Sequence, residues 1–197
     1  MENDLAVRVQ IIKKRIRDAA ERVERSPGKI KLVSGRESDY YIDMRPTTLH
    51  PAGATCVGEL IADALDGLPV DFVGGLESGA IPIATAVATA SNRRGGNIAA
   101  FFVRKKAKDH GARKLVEGLP KGETLKGRNV VIVDDVMTTG GSSVQAIEAV
   151  REDGANILLV LTIVDRLEGA AETFAAQRLH GGLARSNRQS SIAPQRG

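Results

Sequence analysis

The densest group of chemistry-bearing residues is VVIVDDVMTTGGSS, from Val130 to Ser143. The β-branched residues Val130 to Val133 read as a buried strand that carries Asp134 and Asp135 to its carboxyl end, with Val136 and Met137 after it. Thr138, Thr139, Gly140, Gly141, Ser142 and Ser143 follow and lead into a helix. Glycines let the backbone come close to a ligand, hydroxyls add donors, and a helix N-terminus adds N–H groups and a favourable dipole. Such a cradle suits a phosphate monoester, and the acids beside it can accept hydrogen bonds from vicinal ribose hydroxyls. An acidic turn before a Ser/Thr-capped helix shares some of these residues. Acids, glycines and hydroxyls in this order favour the ligand. Neither G-x-x-x-x-G-K-[ST] nor G-x-G-x-x-G occurs, which argues against a P-loop or a dinucleotide fingerprint.

Three further segments carry candidate chemistry. FFVRKKAKDHGARK (101–114) concentrates Arg104, Lys105, Lys106, Lys108, His110, Arg113 and Lys114 just after an apolar run. A basic stretch is usually a solvated loop, but one leaving the carboxyl end of a strand can neutralise a diphosphate. GGLESGAIP (74–82) puts Glu77 and Ser78 where a strand meets a helix, in a turn able to offer N–H groups to a leaving group. TIVDRLEGA (162–170) ends a strand in Asp165-Arg166. The planar fork of arginine suits a carboxylate, and a salt-bridged or capping arginine is the plainer reading.

The elements that must position these groups follow from periodicity. Leu5, Val9, Ile12, Ile16, Ala20 and Val23 share one helical face in residues 5–24, and Ser26-Pro27-Gly28 stops that helix. KIKLV and YYIDM read as short extended runs on either side of a turn-rich SGRESD. Pro51 starts a helix over 51–66. Strands over 70–75, 97–103, 129–135 and 156–165 then alternate with helices over 79–90 and 139–153, with 104–118 a charged loop. Their continuous apolar runs predict parallel strands covered on both faces, hence a doubly wound α/β sheet with its ligands at the carboxyl ends. The tail 178–197 is polar and has no period, so it reads as disordered.

Composition narrows the classes. At 197 residues the chain suits one domain, here 1–177. A net charge of +4, 3% aromatics and no Trp do not suggest a base-stacking platform, so no nucleic-acid partner is expected. Cys56 is the single cysteine, which fits a reducing compartment, and the three histidines lack metal-ligand spacing. No apolar leader or spanning segment is evident, so no membrane partner is expected and the cytoplasm is the expected location.

Residues 130–143 resemble the phosphoribosyl-diphosphate signature of the type I phosphoribosyltransferases, and the other segments are similar to the orotate phosphoribosyltransferases in particular. The resemblance spans roughly residues 5–175. It implies the type I fold, a mainly parallel sheet with a small hood over about 29–45 plus the N-terminal helix. Phosphoribosyl diphosphate would be held by Asp134, Asp135, Val136, Met137, Thr138, Thr139, Gly140, Gly141 and Ser142, with Glu77 and Ser78 in the pyrophosphate loop. FFVRKKAKDHGARK matches the family's mobile catalytic loop, RK-x-AKDHG, at every fixed position. That match implies diphosphate contacts from Arg104, Lys105, Lys108 and His110, Lys108 foremost. KLVSGRESDYYIDMR (31–45) resembles the hood, with Tyr41 against the flat base; Arg166 and Thr138 match the remaining orotate contacts. Val33 and Ser78 stand where some members have lysine.

The implied reaction joins orotate to 5-phosphoribosyl 1-diphosphate, giving orotidine 5′-monophosphate and pyrophosphate. The implied cofactor is Mg²⁺, held mainly by the diphosphate, with Asp134 and Asp135 the candidate protein ligands. The implied assembly is a homodimer that shares the loop across its interface. A purine or uracil enzyme of the same fold fits the basic loop and Arg166 less well. A regulator that binds phosphoribosyl diphosphate without catalysis would tend to lose base-site residues, whereas Tyr41, Lys108 and Arg166 are all present.

Overall fold

Strand β7 (Asn129–Met137) is the axis of the fold. Val130, Val131, Ile132 and Val133 are each no more than 1% exposed, and successive side chains leave a strand on opposite faces. Val130 and Ile132 join one core with Ile147 and Val150, while Val131 and Val133 join another with Val57, Ile61, Ile83 and Val87. A strand buried on both faces needs helices on both, which is the doubly wound arrangement. Truncating such a side chain, Ile132→Ala for instance, costs roughly 2–5 kcal/mol.

The computed structural model describes residues 42–107 and 114–176, together with the backbone of strand residues 30–31, 37–38 and 181–183. Its main sheet has five parallel strands. Besides β7 these are β3 (Phe72–Gly74), β4 (Ala99–Ala100), β8 (Asn156–Asp165) and β9 (Gly181–Leu183), in the order β4-β3-β7-β8-β9. Helices α2 (Pro51–Ala64) and α3 (Ala80–Arg93) cover one face. The other is covered by α4 (Gly141–Glu152) and α5 (Ala170–Ala176). In α3 the buried Ala80, Ile83, Ala84, Val87 and Ser91 recur at helical spacing. Pro51 opens α2 as expected, and the Nδ1 of His50 accepts from the Ala52 N–H at 3.3 Å. No helix among the described residues is long and apolar enough to cross a membrane.

The strand order fixes where a ligand can enter. From β3 the chain crosses to β4 on one side, and later returns to β7 on the other. The crevice between the carboxyl ends of β3 and β7 is therefore the topological switch point, where open α/β sheets bind ligands.

Several expectations need correction. The run 97–103 is not one strand: β4 belongs to the main sheet, while β5 (Phe102–Val103) forms a hairpin with β6 (Val116–Glu117). The cause is a shared edge. Phe101 and Val103 donate to Val73 and Gly75 on one side, and β5 takes β6 on the other. The stretch 104–118 consequently ends in a strand. In the hood, β1 (Ile30–Lys31) pairs with β2 (Glu37–Ser38), inside the segment read as a turn. Residues 42–44 of the expected second run are irregular, and Pro46 helps start a short helix, α1 (Arg45–Thr48). Within the tail read as disordered, residues 181–183 form a strand, since β9 adds to the edge of β8 through Val160↔Gly181 and Thr162↔Leu183. Backbone pairing places this strand without any apolar run. The expected helix over 5–24 lies outside the described residues.

Candidate phosphoribosyl site at the switch point

The two acids leave β7 on opposite faces, as strand alternation requires. Asp134 turns towards α4: its Oδ2 accepts from Ser143 Oγ at 3.2 Å, and its Oδ1 accepts from the Asp135 N–H at 3.0 Å. Asp135 turns towards the start of α3, where its carboxylate lies against Gly79. A Cβ built on Gly79 would come within 2.6 Å of Asp135 Oδ1, so only glycine leaves this acid its place. The Oδ1 of Asp135 also accepts from the Val136 N–H at 2.8 Å. Burial pushes the Asp134 carboxyl up to about 7, and the neighbouring Asp135 charge pushes the same way. Asp134 is 8% exposed and Asp135 half-buried, so Asp135 is the more accessible acid.

The cradle is built by the turn from β7 into α4. Gly140 caps the helix in the left-handed region at φ +83°, without a side-chain cap, so the Ser/Thr-capped helix of the plainer reading is not what forms here. A Cβ there would also meet the Phe174 ring at 3.1 Å. Thr138 and Thr139 are half-buried, Gly141 and Ser142 are exposed, and Ser143 is buried against Asp134. The exposed first turn of α4 presents the end of a helix that favours an anion. Met137 has its side chain in the core, 5% exposed, and its carbonyl accepts from the Arg166 N–H at 2.9 Å. Its contribution to a ligand is thus the path of the backbone. Val136 is half-buried beside it.

Facing the cradle is the turn after β3. Glu77 is half-buried, Ser78 exposed, and the peptide between them is cis. Glu77 donates its N–H to the Val103 carbonyl at 2.8 Å, and its Oε1 accepts from the Lys105 N–H at 2.8 Å. The basic segment therefore leaves the sheet at the mouth of the crevice, as expected. Arg104 Nε donates to the Lys106 carbonyl at 3.2 Å, and the Lys105 carbonyl accepts from Gln145 Nε2 at 3.0 Å. Lys108, His110 and Tyr41 lie outside the described residues.

Arg166 sits immediately beyond the Met137↔Asp165 pair that ends the β7–β8 ladder. Its side chain is 4% exposed, with Nε 2.8 Å from Glu168 Oε1, so the salt bridge of the plainer reading exists at the very position that borders the cradle. Asp165 Oδ1 accepts from the Leu167 N–H at 2.8 Å, and Leu167 takes a positive φ of 56°, which turns the chain sharply after Arg166.

Sequence reasoning named Asp134, Asp135, Thr138, Glu77, Arg104, Lys105 and Arg166, and the structure gathers them at neighbouring strand ends. It missed Gly79, Gln145 and Glu168 as their supports. Only Gly79 carried a signal, as a small residue at a strand-to-helix turn. Among the described residues no cluster of three or more His, Cys, Asp or Glu side chains could hold a metal. Of the two acids only Asp135 is open to the crevice, and one carboxylate there would fit a Mg²⁺ that arrives on substrate phosphates and keeps much of its water shell.

Residues 48–176 match the family model described as "Phosphoribosyl transferase domain". An orotate phosphoribosyltransferase from Bradyrhizobium diazoefficiens is 57% identical over 152 residues, covering 77% of this chain and 81% of its own. The crystal structure of orotate phosphoribosyltransferase from Mycobacterium tuberculosis is 38% identical with a TM-score of 0.72, covering 90% of this chain and 94% of its own. A structure of that M. tuberculosis protein in complex with 5-phospho-α-D-ribosyl 1-diphosphate is 37% identical, with a TM-score of 0.63 and coverage of 73% and 79%. Together with the cradle at the switch point, these likenesses show that the chain belongs to the phosphoribosyltransferase family, among the orotate phosphoribosyltransferases.

Proposed function

We propose that the chain transfers the phosphoribosyl group of 5-phosphoribosyl 1-diphosphate to orotate, giving orotidine 5′-monophosphate and pyrophosphate in UMP synthesis. The observation that carries this reading is the junction of the phosphate cradle with Arg166 through the Met137 carbonyl. It joins the strand end that carries Arg166 to the cradle, and a guanidinium there, held through Nε by Glu168, would suit the carboxylate that distinguishes orotate from uracil. Relatives that carry the orotate phosphoribosyltransferase name support the same substrate pair.

A ring nitrogen of orotate attacks the anomeric carbon while pyrophosphate departs. The ribose hydroxyls are accepted by the acid pair, Asp135 foremost, and the 5-phosphate lies on Thr138–Ser142 at the N-terminus of α4. Arg104, Lys105, Lys108 and His110 meet the negative charge that grows on the diphosphate, and one preorganised donor of this kind is worth about 3–4 kcal/mol. Tyr41 packs on the base. Mg²⁺ bound with the diphosphate would supply further charge neutralisation there, with the acid pair Asp134 and Asp135, Asp135 the accessible one, as the candidate protein ligands.

The active form is a homodimer in which Lys108 serves the neighbouring subunit's site, a reading supported by the resemblance and by the charge of the loop. The cytoplasm is its place, supported by the buried free thiol of Cys56. Mixing the protein with orotate, phosphoribosyl diphosphate and Mg²⁺ should remove the orotate absorbance. No change with folded protein rejects the orotate reaction.

A further inference from the structure

The backbone of Lys105 is held from both sides of the crevice. Its N–H donates to Glu77 Oε1 at 2.8 Å, from the turn after β3. Its carbonyl accepts from Gln145 Nε2 at 3.0 Å, from the second turn of α4. Two walls that approach the ligand from opposite sides of the switch point therefore meet on the backbone of one residue, through the two peptide units that flank the Lys105 Cα. Arg104 is further tied where its own N–H donates to the Leu115 carbonyl at 2.9 Å, at the base of the β5–β6 hairpin.

Glu77 is an anion in a place where a diphosphate is to be received, and direct contact between the two would be repulsive. Its carboxylate is instead aimed at a backbone N–H. Gln145 lies one turn beyond the hydroxyls of the cradle, on the same helix, and its amide reaches away from them to the basic segment. The carboxylate of Glu77 lacks the chemistry of a phosphate contact, the amide donor of Gln145 is turned to a backbone carbonyl, and both act on the backbone of Lys105.

We propose that Glu77 and Gln145 are paired positioning residues that fix the Lys105 backbone, and with it the place of the Arg104 and Lys105 cations relative to the phosphate cradle. The proposal rests on the phosphoribosyl-transfer reading of the site and adds how its cations are placed. Preorganisation is what makes such cations effective, because charge that is already in place needs no rearrangement as the transition state forms. The helix that receives the 5-phosphate thus also sets the position of the groups that meet the diphosphate.

The test uses the full-length protein with Glu77→Ala, Glu77→Gln and Gln145→Ala. Steady-state kinetics, thermal melting and amide hydrogen exchange are measured on each, beside the wild type. Loss of one exposed hydrogen bond should lower kcat about two- to tenfold in each alanine variant. The KM for orotate and the melting temperature should stay unchanged, and exchange at the Lys105 amide should quicken in Glu77→Ala. Glu77→Gln should recover most of the activity, because its amide oxygen still accepts from that N–H. A glutamine variant as impaired as the alanine variant would mean that the charge of Glu77 acts directly, and would overturn the proposal. So would wild-type kcat in Gln145→Ala, or unchanged Lys105 exchange in Glu77→Ala. An inactive wild type whose Lys105 amide is nevertheless protected, and loses that protection in Glu77→Ala, rejects the transfer reading while the anchor itself stands.

Discussion

Asp134→Asn should make the protein more stable, and increasingly so as pH rises. Burial, with the nearby Asp135 charge, raises this carboxyl from 3.8 to about 7. The folded chain thus holds a proton over a range in which the unfolded chain has lost it. Stability from this group is complete below the unfolded value of about 4, falls as pH climbs, and is fully lost above about 7. At about 1.4 kcal/mol per pH unit, the charged form costs the folded state roughly 4 kcal/mol in alkaline solution. Part of that loss is already present at pH 5, so the difference that develops between pH 5 and pH 8.5 is about 2–3 kcal/mol.

Asparagine keeps the shape and the partners, since its amide oxygen can accept from the Asp135 N–H and its NH₂ can donate to Ser143 Oγ. Urea unfolding of wild type and variant across this range measures the gap directly, and groups that titrate elsewhere cancel in the difference. The melting temperature of the variant should lead by roughly 8–16 °C at pH 8.5, at about 2–4 °C per kcal/mol for a chain of this size. A gap that stays constant between pH 5 and pH 8.5, or narrows, would refute the argument that burial holds this acid protonated.

Arg166→Ala should weaken orotate more than phosphoribosyl diphosphate, by about 1.5–3 kcal/mol, and equal losses for both substrates in steady-state kinetics would deny it the carboxylate. Gly79→Ala should drive the Asp135 carboxylate from its place, given the 2.6 Å approach of a Cβ. Its KM for phosphoribosyl diphosphate should rise while its circular dichroism stays native, and an unchanged KM would show that the carboxylate has room to shift. Subunits of Lys108→Ala and Asp135→Asn, allowed to exchange, should recover about a quarter of wild-type activity if the loop acts across a dimer. No recovery, once native mass spectrometry has shown mixed dimers, would place loop and site in one chain.

What was legible in the sequence is what strand and motif chemistry impose locally. Val130 to Val133 could be nothing but a buried strand, and the acids after them had to reach its carboxyl end. The supports were not legible, because they depend on which elements meet. Gln145 is one polar residue on a helix, with no spacing that distinguishes it from a solvated position; only the β5–β6 hairpin brings a carbonyl to it. Glu168 follows Arg166 by two positions, and a sharp turn at Leu167, unusual for a leucine, is what lets the two pair. β9 begins with Gly181-Gly182, residues with little strand propensity, and forms because β8 offers an edge.

The strand period also separates the two neighbouring acids. Residues 134 and 135 cannot share a face, so each is served by a different helix: Asp134 by Ser143 of α4, Asp135 by the glycine that precedes α3. The buried acid is hydrogen-bonded to the backbone N–H of the accessible one, and so fixes the peptide from which Asp135 reaches the crevice. Replacing Asp134 with asparagine preserves that hydrogen bond, whereas alanine removes it and leaves Ser143 without its acceptor. The two variants therefore separate what Asp134 does by charge from what it does by position. Loss of phosphoribosyl-diphosphate affinity in both points to the charge, and loss in alanine alone points to the peptide it holds.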